Sequence, residues 1–461
     1  MMPIAREPLP SVVERTSLPV VAIVGRPNAG KSTLFNRLLG ERRAIVDEQP
    51  GVTRDRNIAS ARLGDREVLL VDTGGFDEQA DDNLARAVLA QSWLAAEEAD
   101  LVVALFDGRE GLNPLDRDLV QRLRVLRKPV LYVANKLDDG KLDLLSTEFF
   151  ALGIPEVLPI SAAHGRGVDE LVERIGGLLP QATTPSPTPP PSKEVIAVAI
   201  VGRPNVGKSS LVNRIVGYER AIVDDKPGTT RDAIDTLVQY HGQDFLLIDT
   251  AGIRRRPKVR EIVERASVVR AFRAVDRAHV VVLLVDAMEG LADQDTRIAH
   301  HVLERGKPLA IVFNKWDAVA RQARRPMQYR QRLAATYPSL ANFPTEFISA
   351  RTGEGVDRIF RLARLLYGRA RKRPSTAKLN VLLQEITRQR PAPAVGGRPV
   401  RFYYVAQTGI EPPRLAIFTN HPEAIPVPYK RYLEGEFRKA FQWSGVPIRI
   451  EFRPRPRRRP E

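Results

Sequence analysis

At 25–33 the chain reads GRPNAGKST, and at 202–210 it reads GRPNVGKSS. Both stretches hold Gly-x-x-x-x-Gly-Lys-Ser, the spacing with which backbone N–H groups curl around phosphate oxygens. Gly25 and Gly30, like Gly202 and Gly207, free the backbone for that turn. Arg26, Pro27, Asn28 and Ala29 fill the first loop; Arg203, Pro204, Asn205 and Val206 fill the second. Lys31 and Lys208 supply a point charge to the β- and γ-phosphates, and Ser32 and Ser209 supply a hydroxyl to Mg2+. Each loop precedes a helical pattern, whose positive end faces the same anion.

Two further pairs extend the chemistry. DTGGF supplies Asp72, Thr73, Gly74, Gly75 and Phe76; DTAGI supplies Asp249, Thr250, Ala251, Gly252 and Ile253. A carboxylate at the end of an apolar strand can hold Mg2+ through water, and the glycine three residues on lets an N–H approach a γ-phosphate. Thr53 and Thr230, in PGVTRD and PGTTRD, can complete the metal shell. Together these parts form a γ-phosphate sensor. NKLD (Asn135, Lys136, Leu137, Asp138) and NKWD (Asn314, Lys315, Trp316, Asp317) read the base. An ionised aspartate needs a partner with two adjacent donors; guanine has them, while adenine presents a bare acceptor. The backbone of Ser161-Ala162 and of Ser349-Ala350 can donate to guanine O6. The asparagines brace the loop, and the lysine stems lie along the base.

These pairs are in one order. The offset is 177 residues for the first three motifs (25 to 202, 50 to 227, 72 to 249), then 179 (135 to 314) and 188 (160 to 348). A constant offset with late insertions describes one domain built twice. Short, continuous, β-branched runs separate helical patterns in each copy, as in VVAIVG, DLVVALFD and AHVVVLLVD. They predict strands of a parallel, doubly wound sheet whose ligand sits at the strands' carboxyl ends. The proline-rich stretch 181–194 reads as a linker between the copies. Beyond residue 372 the order is helix, strand, strand, helix, strand, with the second helix ended by Gly445.

Of 461 residues none is cysteine, so disulfides and thiolate metal sites are excluded. No apolar run approaches the ~20 residues that span a bilayer, and the N-terminus lacks a signal-peptide core. The expectation is a cytoplasmic protein with no membrane anchor. Net charge is +16, and residues 373–461 carry 17 Lys/Arg against 7 Asp/Glu, so +10 lies in that segment. A polyanionic partner is implied.

GRPNxGKS, PGxTRD, DTxG, NKxD and SA resemble a translation-factor-type GTPase domain. Two such copies followed by a basic α-β-β-α-β segment resemble the Der (EngA) family of tandem-domain GTPases of bacterial ribosome assembly, over about residues 19 to 455. The resemblance implies an α/β architecture of two P-loop GTPase domains and an α+β KH-like domain. Its implied divisions are an extension (1–18), a first GTPase domain (19–180), a linker (181–194), a second GTPase domain (195–372), the KH-like domain (373–455) and a basic tail (456–461). It implies GTP hydrolysis with Mg2+, action on the large ribosomal subunit and its rRNA, and a monomer. Phe76 and Ile253 stand where many small GTPases carry a water-orienting glutamine. The resemblance assigns the electrostatic role to K+, held by Asn28 and Asn205. The segment 373–461 lacks the GxxG of standard KH modules, so single-strand clamping in that mode is not expected. Two other readings stand beside this one: a non-catalytic RNA-binding scaffold with structural nucleotide sites, and a GTPase of RNA modification or membrane stress response.

Overall fold

The computed structural model describes residues 18–40, 58–73, 96–126, 128–179, 194–217, 222–223, 235–249, 263–394 and 399–454. It forms two compact units, one built on the first copy and the other on the second copy with the C-terminal segment.

In the first copy β1 (Val20–Val24) is buried throughout, and α1 (Lys31–Leu39) begins at the motif lysine. α1 turns Leu34, Phe35 and Leu38 inward, the stripe that holds it on the sheet. There follow β2 (Ile58–Leu63), β3 (Arg66–Asp72), β4 (Leu101–Asp107), α2 (Pro114–Val125), β5 (Val130–Asn135), β6 (Leu158–Pro159) and α3 (Val168–Leu178). The sheet order is β2-β3-β1-β4-β5-β6, antiparallel only between β2 and β3.

The second copy repeats the plan. β7 (Val195–Val201), α4 (Lys208–Val216), β8 (Ile222–Val223), β9 (Thr236–Tyr240), β10 (Gln243–Ile248), α5 (Val263–Arg277), β11 (Val280–Asp286), α6 (Asp293–Glu304), β12 (Leu309–Asn314), α7 (Pro326–Thr336), β13 (Thr345–Phe347) and α8 (Asp357–Ala370) follow in order. The sheet runs β13-β12-β11-β7-β10-β9-β8. The longer stretch between NKWD and ISAR is used for α7; the first copy has a 3-10 helix over Gly140–Leu152 there.

The parallel strands read from the apolar runs are all present. β2 and β9 were not read from sequence. IASARL lies at the sheet edge with Ser60 and Arg62 exposed, so it lacks the continuous apolar run of a strand buried on both faces. Gly64, at φ 59°, closes its hairpin with β3.

The C-terminal segment folds as α9 (Thr376–Gln389), β14 (Phe402–Gly409), β15 (Arg414–Thr419), α10 (Val427–Phe441) and β16 (Arg449–Pro454), the α-β-β-α-β order expected. Leu379, Leu383, Leu433, Phe437 and Trp443 fill its core, joined by Ala370 at the end of α8. Gly445 does not end α10. The helix stops at Phe441, and Gln442 takes the left-handed cap at φ 57°. Gly445 instead lies where this segment meets the second copy. Leu309 N–H donates to its carbonyl and its N–H donates to the Asn342 carbonyl, both at 3.0 Å. Its φ is +81°, and a Cβ would sit 2.4 Å from Leu366 and 2.7 Å from Pro344.

Candidate functional site

The phosphate loops join β1 to α1 and β7 to α4. Asn28 and Asn205 are exposed at the loop tips, both at φ 63°; Gly30 and Gly207 follow at +91° and +98°. This alternation aims successive N–H groups inward. Lys31 Nζ donates to the Arg26 carbonyl at 2.7 Å, and Lys208 Nζ to the carbonyls of Gly202 and Arg203 at 2.7 and 2.6 Å. Both ammonium groups therefore lie across the loop mouth. Burial lowers both below the ordinary lysine range, Lys208 to about 8.

That shift makes a prediction. A phosphate needs the ammonium form, so GDP affinity at the second site is flat below about pH 7 and falls about tenfold between pH 7 and 9. The opposite sign applies to stability. The folded pKa lies below the ordinary 10.5, so the unfolded chain binds more protons between these values, and this group's contribution to stability rises with pH there. Calorimetric titration with GDP across that range checks it; constant affinity contradicts it.

Asp72 is buried at the end of β3, and Ser32 Oγ donates to its Oδ2 at 2.6 Å. A hydroxyl and a carboxylate thus converge beside the loop, hard oxygen donors of the kind Mg2+ accepts. Among the described residues no group of three or more His, Cys, Asp or Glu could hold a metal alone. Mg2+ held by Ser32 and Asp72 would take its other ligands from phosphate and water, and when bound it supplies charge to the β- and γ-oxygens. Ser209 and Asp249 occupy the matching places on α4 and after β10. Thr73 Oγ1 donates to the Ile23 carbonyl at 2.8 Å, tying this motif to β1. Thr53, Thr230, Gly74, Gly75, Phe76, Thr250, Ala251, Gly252 and Ile253 lie outside the described residues.

The base readers close the site. Asn135 Nδ2 donates to the Ala29 carbonyl and its Oδ1 accepts from Ala162 N–H, each at 2.9 Å. Asn314 makes the same two bonds with Val206 (2.8 Å) and Ala350 (2.9 Å). One buried amide in each copy therefore locks phosphate loop to base-reading loop. The Ala162 and Ala350 N–H groups, read from the sequence as donors to guanine O6, are engaged by these asparagines. Ser161 and Ser349 donate Oγ to Asp138 and Asp317 Oδ1 at 2.6 Å. Those hydroxyls first, then Arg109 and Arg351, hold the two carboxyls below the usual range, so both are ionised at neutral pH. Leu137 and Trp316, inside the motifs, point into the cores.

Sequence reasoning missed two carboxylates. Lys136 Nζ pairs with Asp107 and Lys315 Nζ with Asp286, each at 2.6 Å, which fixes the two lysine stems. Burial raises Asp107, but Lys136 and the N–H groups of Glu110 and Arg109 outweigh it and lower its pKa. The signal was present: LVVALFD and VVVLLVD both end in aspartate. The side chains of Arg26 and Arg203 leave the phosphate side. Arg26 pairs with Glu110 at 2.5 Å and lies 3.7 Å from Asp116; Arg203 pairs with Asp295 at 2.9 Å. They tie each loop to the start of α2 or α6. Burial pushes Asp116 up to about 6.

Comparison with known proteins agrees with this geometry. The family model described as 50S ribosome-binding GTPase matches residues 20–136 and 197–315, and that described as KH-domain-like of EngA bacterial GTPase enzymes, C-terminal, matches 373–453. The chain is 44% identical over 441 residues to GTPase Der of Geobacter metallireducens, covering 96% of this chain and 100% of that one. It is 45% identical over 435 residues to GTPase Der of Moorella thermoacetica, covering 94% and 98%. Among solved structures, Era in complex with MgGDPNP and nucleotides 1506–1542 of 16S ribosomal RNA is similar at 22% identity and TM-score 0.29, covering 57% of this chain and 93% of that one.

Proposed function

The chain belongs to the GTPase Der family and is a GTPase, and from that premise we propose that it is a two-site switch acting in maturation of the large ribosomal subunit through rRNA. One observation carries the reading. Two guanine-reading sites of matching geometry occur in one chain, and the second shares a compact unit with a C-terminal domain of charge +10. The contact runs through β12, whose Leu309 N–H bonds Gly445. β12 also ends in Asn314, the residue that locks the second site. One strand thereby links the second site to the basic C-terminal domain, a route by which nucleotide-dependent ordering reaches it. The described residues contain no helix long and apolar enough to cross a membrane.

K+ is the proposed electrostatic element of hydrolysis, held by Asn28 and Asn205. Both asparagines adopt the left-handed conformation at the exposed loop tip, two residues before the glycine that opens the motif helix. The chain's own contribution is then to hold the loop and present the lysine charge.

The test is sedimentation of purified protein with cell extract in GTP, GDP or a non-hydrolysable GTP analogue. Co-migration with the large subunit only in the GTP-like state is the expected result. Migration at the top of the gradient in every state removes the ribosome from the reading and leaves the GTPase standing. Turnover in K+ is expected to exceed that in Na+; equal rates reject the potassium role.

A further inference from the structure

A basic, acid-free run begins upstream of the C-terminal segment. From Arg358 to Gln384 the chain has eight Lys/Arg (358, 361, 364, 369, 371, 372, 373 and 378) and no Asp or Glu. Its first half is α8, a helix of the second GTPase domain. Arg361, Arg364 and Gly368 recur at intervals of three and four residues, so they share one exposed face of α8 over about 10 Å, and exposed Lys372 follows just past the helix end. That face lines an open groove of about 450 Å3, closed on its far side by Gln442 of the C-terminal domain. Arg369 anchors the seam by donating to the Ser444 carbonyl at 2.9 Å.

Two features argue for a ligand. Arg361 pairs with Asp357, but Arg364 has no carboxylate among the described residues within ion-pair distance. The charge of the helix's C-terminal end explains cations in its last turn only, and Arg361 and Arg364 lie before it. Gly368 sits mid-face, exposed, and a Cβ there would meet nothing within 4 Å. Glycine inside a helix is destabilising, and no internal packing here requires it. Its use is to let a bulky partner approach the helix backbone between cations.

We propose that the α8 groove holds an RNA phosphate backbone, contacting about two or three phosphates. The inference rests on the rRNA reading above and assigns it a second footing outside the KH-like domain. Charge complementarity selects the partner: the lining cations face no carboxylate apart from Asp357.

The experiment uses the full chain with a short RNA duplex and, separately, purified large subunits, between about 50 and 200 mM salt. Arg361→Glu with Arg364→Glu is expected to weaken both interactions about tenfold or more and to flatten the salt slope by about two, with GTP turnover unchanged. Gly368→Ala is expected to raise the melting temperature while weakening RNA binding about threefold, which no folding defect can do. Wild-type chain that binds neither partner overturns the rRNA reading itself. Wild-type binding with variants of equal affinity and slope overturns the groove alone.

A different observation carries a second inference. Each guanine-reading carboxylate is engaged by one arginine, and the two arginines come from different loops. Arg109, after β4, bonds Asp138 and donates Nε to the Lys136 carbonyl at 3.0 Å. Arg351, after the SA motif, pairs with Asp317 at 2.6 Å. The counterpart of Arg109 is Met288, and that of Arg351 is Ala163. A guanidinium presents paired donors like the N1–H and amine of guanine. We infer that Arg109 and Arg351 compete with guanine for their aspartates and so weaken nucleotide binding. Arg351→Ala is expected to tighten the Kd of a fluorescent GDP at the second site about threefold, and adding Met288→Arg to restore it. Unchanged or weaker binding in Arg351→Ala, or no restoration, overturns the inference.

Discussion

In the Asp317→Asn chain, GTP and GDP are expected to bind the second site at least a hundredfold more weakly, while xanthine nucleotides bind there and the first site is unaffected. Asp317 is ionised, fixed by Ser349 at one oxygen, and meets guanine with acceptors only. An amide replaces one acceptor with a donor facing the guanine amine. The site loses a charge-assisted hydrogen bond of about 1.5–3 kcal/mol and leaves two donors opposed, a cost of similar size. Xanthine carries a carbonyl in place of the amine and reverses that clash. Asp138→Asn does the same to the first site. Competition of GDP and XDP against a fluorescent GDP, in each single variant, reads both sites separately. Retained GDP affinity in the variants would show that these carboxylates do not read the base. The separability is itself useful, since each site can then be loaded alone.

The second large effect is at the start of the loops. A Cβ on Gly25 would stand 2.3 Å from the Leu105 carbonyl oxygen, and one on Gly202 2.3 Å from that of Leu284, where φ is also +145°. Those oxygens belong to β4 and β11, central strands buried on both faces. A side chain can swing aside, but a strand paired on both edges cannot. Gly25→Ala and Gly202→Ala are therefore expected to cost the affected domain about 3–5 kcal/mol and to abolish its phosphate binding, because only the loop can move. Thermal unfolding with fluorescent-GDP binding tests this. Alanine variants that melt and bind like the parent would mean that the loop does not rest on the neighbouring strand. Gly30→Ala is disruptive by another route: φ is +91° there, and a Cβ would stand 2.3 Å from the buried Asn135 amide that locks the two loops.

Much of this was legible in the residues. The duplicated GxxxxGKS, NKxD and SA patterns all fall in local turns at the ends of strongly apolar strands, which is why the sequence places them together. The sheet's parallel centre followed from runs such as VVVLLVD, which have no polar face to show to water. What depended on distant groups was not legible. β2, at the sheet edge, and β9, between β10 and the short β8, take their place from pairing with their neighbours and not from their own apolar content. The turn of Arg26 and Arg203 away from the phosphates follows from buried Asp116 and Asp295, 90 and 92 residues along the chain, as the numbering gives (26 to 116, 203 to 295). Gly445 looked like a helix stop; its glycine is required because the chain passes against Pro344 and Leu366. Sequence alone determined the chemistry of each nucleotide site, since short-range backbone geometry suffices for it. Only the tertiary structure decided how the asparagine locks, the lysine–aspartate pairs and the α8 groove are assembled, because each depends on surfaces that meet only when separate elements pack.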